Sequence, residues 1–172
     1  MKKVKKVHKA VSAPIADLST FRALPTATVN HLDPFLFLNH HGPQQYEPHN
    51  NGLPFGPHPH RGFETLTFIL QGDIMHKDSG GGQDTIQAGG VQWMTDGRGV
   101  IHTENSSDEF REKGGMEEVI QIWFNLPAKH KMAEPAYVGL QQNQIPAQET
   151  DNGNVTVYPV SGTWNGQEGP VK

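Results

Sequence analysis

The stretch F-E-T-L-T-F-I-L-Q-G-D-I-M-H-K-D-S-G-G-G-Q-D-T-I-Q-A-G-G-V-Q-W-M-T-D-G-R-G-V-I-H-T-E runs from Phe63 to Glu104. It reads as short strands cut by glycine turns. Leu66 to Leu70 is rich in β-formers and stops at Gln71-Gly72-Asp73. Ile74 to His76 restarts it and stops at Asp78-Ser79-Gly80. Thr85 to Gln87, Val91 to Met94 and Val100 to Thr103 follow, parted by Gly89-Gly90 and by Asp96-Gly97-Arg98-Gly99. Strands at about ten-residue spacing with glycine turns predict an all-β fold of the barrel or jelly-roll kind.

Outward from this stretch the pattern weakens. Residues 30–60 are dense in turn formers, including Asp33-Pro34, Gly42-Pro43 and Asn51-Gly52, and are read as loops with short extended pieces. Val119 to Leu126 is the longest strand candidate, with Ile120, Ile122, Phe124 and Leu126 alternating with more exposed positions. Ser107 to Gly114 is read as about one helical turn. Gln141 to Gly153 is polar and reads as a connector, and Val155 to Tyr158 as one more strand.

Composition narrows the chemistry. The chain of 172 residues has no cysteine, which excludes disulfide scaffolds, thiolate metal sites and a cysteine nucleophile. Five of its 14 basic residues, Lys2, Lys3, Lys5, Lys6 and Lys9, lie at the start, leaving a body with nine basic and 18 acidic groups. A body of net charge −9 does not suit direct binding of duplex DNA. The lysine-rich start is read as a solvated edge strand, with Val4 and Val7 among its lysines. No apolar run approaches a membrane span or a signal-peptide core, so a cytoplasmic location and no membrane partner are expected.

Ten histidines stand out. His58-Pro59-His60 is an H-x-H, and residues i and i+2 of an extended segment share a face. Pro59 favours that extended conformation at His58. His102-Thr103-Glu104 is an H-x-E of the same geometry. On neighbouring strands facing inward, the two pairs place three imidazoles and one carboxylate together, a set suited to a borderline divalent metal with open coordination positions. His8, His31, His40, His41, His49 and His130 lack such spacing and are read as surface or turn residues. His76, between the two motifs, is a candidate for the cavity or for a structural role.

The segments H-P-H-R-G-F-E-T-L-T-F-I-L-Q-G (58–72), M-H-K-D-S (75–79) and G-G-V-Q-W-M-T-D-G-R-G-V-I-H-T-E (89–104) together resemble the pirin family of the cupin superfamily. L-D-P-F-L (32–36) and G-P-V (169–171) fit the same pattern. The resemblance implies a cupin double-stranded β-helix and one non-haem divalent metal, usually Fe(II), held by His58, His60, His102 and Glu104. The same ligand set also takes Mn, Co, Ni, Cu or Zn. Many cupins instead draw a ligand from a glutamate four residues after H-x-H, where Glu64 stands; the pirin pattern favours Glu104 and leaves Glu64 a supporting hydrogen bond. Some pirins have quercetin 2,3-dioxygenase activity, which implies a flavonol-like aromatic substrate, dioxygen and Glu104 as the proton acceptor. Others are regulatory modules that bind a protein partner, a transcriptional or a metabolic one. The resemblance also divides the chain, with residues 1–140 as the metal-binding cupin domain. Residues 141–172 are then a connector and the start of a second cupin half that is largely absent.

Overall fold

The structure, a computed structural model, describes residues 3–172; the lysine read at position 2 lies outside them. Strands β1 (Val11–Ser12), β2 (Thr20–Leu24), β3 (Phe35–Tyr46), β4 (Phe55–His60), β5 (Phe63–Gln71), β6 (Asp73–Asp78), β7 (Gln83–Gln87), β8 (Val91–Thr95) and β9 (Val100–Asn105) precede the helix α1 (Asp108–Lys113). After it come β10 (Gly115–Asn125), β11 (Ala136–Leu140), β12 (Gln148–Thr150), β13 (Val155–Val157), β14 (Thr163–Trp164) and β15 (Gln167–Glu168). The all-β expectation holds. A seven-stranded sheet, β1-β2-β3-β10-β5-β8-β11, faces a four-stranded sheet, β4-β9-β6-β7, and side chains of β9 bond to β5, β8 and β10 across the gap.

The five strands read between Leu66 and Thr103 all form, each a little longer than read. The single turn of helix also forms. Ser107 caps α1 by accepting from the Phe110 N–H at 3.1 Å, and Gly114 ends it at φ 71°.

Residues 30–60 depart from the reading, because β3 is twelve residues long despite Gly42-Pro43 in its middle. Those two residues sit in a bulge. His41 pairs with Val119 and Gln44 with Glu117, so β3 carries one residue more than β10 across that step. Pro43 therefore removes no ladder bond. Gly42, at φ +79°, lies where a Cβ would meet the Glu117 carbonyl at 2.2 Å, so only glycine fits.

The parity of β10 is the reverse of the reading. Val119, Gln121 and Trp123 face the interior, while Ile120, Ile122 and Phe124 face outward. The reason is two apolar layers, one on each side of the large sheet. Ile69, Ile74, Ile86 and Val119 pack between the sheets with Leu18, Leu53 and Phe110. Leu66, Val91 and Leu140 pack on the outer face, with Phe68, Trp93 and Phe124 against them. Residues of the tail cover that outer face, with Ile145, Val160 and Val171 in the same cluster. The strand read at Val155 pairs with β12 in a hairpin of its own rather than with the large sheet. The lysine-rich start makes no ladder: residues 3–10 are exposed and unpaired in the sheet, and pairing begins at Val11.

Candidate metal centre

His58 and His60 stand on β4, and His102 and Glu104 on β9. The two strands are antiparallel, with His58 opposite His102. The i, i+2 spacing of each pair then aims all four side chains at the interior. The structure brings the three imidazoles together: one ring nitrogen from each of His58, His60 and His102 lies within 4.8 Å of the others.

Each ring is held. His58 Nδ1–H donates to the Gly56 carbonyl at 2.7 Å, which leaves Nε2 as a lone pair 3.1 Å from His102 Nε2. His60 sits edge-on to Phe63 and Trp123, with centroids 5.0 and 5.1 Å away. Burial lowers the His60 imidazole to about 4, helped by neighbouring His58. Burial also lowers His102 to about 3, with His58, His60 and His76 adding to it. Both rings are therefore neutral at pH 7, the form that ligates metals.

Glu104 lies outside that triplet and is almost fully buried. Three side chains of the facing sheet donate to it: Gln121 Nε2 to Oε2 at 2.8 Å, Thr67 Oγ1 to Oε1 at 3.4 Å, and Gln92 Nε2 to Oε1. Burial raises its carboxyl above the usual range, and the Gln121 donor opposes that rise. Among the described residues no lysine or arginine pairs with it. Neutral imidazoles beside a buried carboxylate that lacks a protein cation fit a divalent metal.

Glu64 occupies the other face of β5. It accepts from Thr95 Oγ1 at 2.7 Å and shares its side with Leu66 and Phe68, whereas Thr67 faces Glu104. His76 is buried next to the cluster, 5.4 Å from His102 between ring centroids. Its Nε2 pairs with Asp78 at 2.8 Å, and its ring stacks on Tyr137 at 3.9 Å. Of the six histidines read as surface or turn residues, His8, His31, His49 and His130 are exposed and His40 is half-buried against Glu118. His41 is the exception. It is buried, bonded to Thr20 Oγ1 at 2.8 Å and lowered to about 4, first by burial.

Sequence reading missed the side chains that hold Glu104. Gln92 and Gln121 each stand between apolar neighbours, the pattern of an exposed strand position, so the local sequence does not mark them. Tyr137 comes from β11, a strand not read at all.

Comparison with known proteins identifies the family. The model of the family described as Pirin matches residues 17–124. A pirin-like protein of Caulobacter vibrioides is 41% identical over 152 residues, covering 87% of this chain and 52% of that protein. The chain thus spans about half the length of the curated relatives it matches. The crystal structure of quercetin 2,3-dioxygenase from Acinetobacter baumannii superposes with a TM-score of 0.84 at 34% identity, over 96% of this chain and 58% of that one. That of the bacterial pirin YhhW from Escherichia coli in complex with nickel(II) gives 0.58 at 25% identity, over 76% of this chain and 53% of that one. With a family model spanning most of the two facing sheets and an H-x-H and H-x-E pair meeting between them, this chain belongs to the pirin family.

Proposed function

We propose that this chain is a metal-dependent dioxygenase of the quercetin 2,3-dioxygenase type. Its metal is one divalent ion, Fe(II), its substrates are a flavonol-like aromatic and dioxygen, and it works in the cytoplasm. The observation that carries the reading is the convergence of His58, His60 and His102 beside buried Glu104. The likeness to quercetin 2,3-dioxygenase from Acinetobacter baumannii supports it. We assign His58, His60, His102 and Glu104 as the residues that hold the metal, and Glu104 also as the proton acceptor. We also divide the chain into a cupin domain, residues 1–140, and a connector with the start of a second half, residues 141–172.

When bound, the metal supplies Lewis acidity and one-electron chemistry toward dioxygen. The chain's own residues supply the rest. The His60 and His102 imidazoles are uncharged donors, and Phe63 and Trp123 stand against His60 and keep bulk water off it. Glu104, raised by burial, is a stronger base than an exposed carboxylate and suits removal of a phenolic proton. Thr67, Gln92 and Gln121 keep its oxygens in place while it does so.

The test is iron loading under anaerobic conditions, then quercetin and oxygen. Loss of quercetin with release of carbon monoxide is expected, and a Glu104→Gln variant should lose it. Fully iron-loaded protein that leaves quercetin intact would sink the dioxygenase reading, and a non-catalytic iron-binding module with a protein partner would replace it.

A further inference from the structure

We propose that Gln92 and Gln121 are positioning residues: a pair of amides that fixes where the Glu104 carboxylate stands relative to the three histidines. The inference rests on the metal reading above.

Strand register places the amides. Gln121 pairs with Thr67, and Thr67 pairs with Gln92, so the three form one cross-strand row on β10, β5 and β8. Adjacent members of such a row stand about 5 Å apart. Glu104 comes down from the facing sheet over the middle of the row. It meets Thr67 below and an amide on each side, with Gln92 on Oε1 and Gln121 on Oε2.

The orientation of Gln121 is settled by its neighbour. Its Oε1 accepts from Trp123 Nε1–H at 3.2 Å. An indole N–H only donates, so the amide oxygen must turn toward Trp123 and the NH2 toward Glu104. Gln92 has its Oε1 accepting from the Tyr137 hydroxyl at 3.3 Å; a hydroxyl takes either role, so here the acceptor-only carboxylate of Glu104 draws the NH2. Both amides therefore offer donors to Glu104, which suits an ionised carboxylate. The Trp123 indole that sets Gln121 also lies edge-on to His60. One side chain thus locates a histidine and, through Gln121, the carboxylate.

A pair of glutamines that merely filled space would tolerate methionine, which has nearly the same shape and no donor. The proposal requires otherwise. The experiment uses the full chain loaded with Co(II), read by chelator competition and by the visible ligand-field bands of the cobalt. Gln121→Met and Gln92→Met should each weaken Co(II) binding by about 10–100-fold. Each should move the bands toward those of Glu104→Gln. Trp123→Phe, which frees the Gln121 amide to flip, should shift them the same way. In the Glu104→Gln background neither glutamine substitution should add anything, because the amides act through that carboxylate. Wild-type affinity and spectrum in Gln121→Met, or additive losses in the double variants, would overturn the inference and leave the metal reading standing. Should Gln121→Met not fold, an unchanged spectrum in Trp123→Phe would overturn it equally. Wild-type protein that takes up no stoichiometric Co(II) would overturn the metal reading, and this inference with it.

Discussion

His58 Nε2 faces His102 Nε2 at 3.1 Å across the β4–β9 pair, the distance two nitrogens keep when both bind one ion. His58 has its proton on Nδ1, bonded to Gly56. His102 Nδ1 is buried with no hydrogen-bond partner. An unpartnered buried ring nitrogen costs about 1–3 kcal/mol. Such a cost is tolerable where the other nitrogen of the ring does work. Protein purified with metal should carry one ion per chain by elemental analysis. Added metal at about 100 times its Kd should contribute about 2.7 kcal/mol of stability. For a chain of this size that is a rise in Tm of about 5–10 °C. His102→Ala should abolish both signals.

The two candidate carboxylates give opposite expectations. Glu104 lies between the sheets next to the histidines, and Glu64 on the outer face of β5 with Thr95. Glu104→Gln should lose metal by about 10-fold or more. Glu64→Gln should keep wild-type metal content. Loss of metal in Glu64→Gln alone would reverse the assignment.

Glu117 is one of two buried carboxyls, with Asp96, that burial raises to about 8, and both make stability fall across neutral pH. Glu117 is fully buried, neither carboxyl oxygen has a side-chain partner, and it lies near Asp73 and the unpartnered Tyr46 hydroxyl. Burial first, then the charge of Asp73, raises it to about 8 from 4.5. A folded value above the unfolded one means that the unfolded chain loses its proton first. The contribution is complete below pH 4.5 and disappears as pH rises through about 8. Thermal melts should therefore fall from pH 5 to pH 8.5. Glu117→Gln should flatten part of that fall, with a relative gain of at least about 2–4 °C at the alkaline end. An unchanged slope in the variant would remove Glu117 as a source of it.

His41 contributes to the acid limb together with His60 and His102. Its folded value of about 4 lies below the ordinary 6.5, so its contribution is complete above 6.5 and is lost as pH falls toward 4. His41 titration by NMR should show a midpoint well below 6.

Ser107 joins α1 to β6. Its hydroxyl caps the helix at Phe110 and donates to Asp73 Oδ2 at 2.5 Å, and its N–H donates to Asp73 Oδ1 at 2.8 Å. Ser107→Ala should cost about 1–2 kcal/mol in urea unfolding. A value near zero would show that the cap contributes nothing.

Local pattern alone located much of this. Glycine turns between runs of β-formers mark β5 to β9, because a turn and a strand are each decided by neighbouring residues. The H-x-H and H-x-E pairs announce two strands with histidines on one face, since side-chain alternation is a property of any extended chain. The mixed result is β3. Gly42-Pro43 reads as a turn, yet becomes a bulge because β10 is there to pair with it.

What the sequence by itself determined, then, is that His58 and His60 share one strand face and His102 and Glu104 another. Which face of β10 looks inward was decided only by the tertiary structure. Phe124 has an apolar layer to join on the outside, while Gln121 and Trp123 find partners inside. Turning buried Gln92 and half-buried Gln121 inward is unfavourable in isolation and becomes acceptable once Glu104 arrives from the opposite sheet to accept their hydrogen bonds. That partner is 12 residues away from one and 17 from the other, on a strand bonded to neither. Burial and hydrogen-bond satisfaction are properties of the assembled sheets, so no local pattern could have announced them.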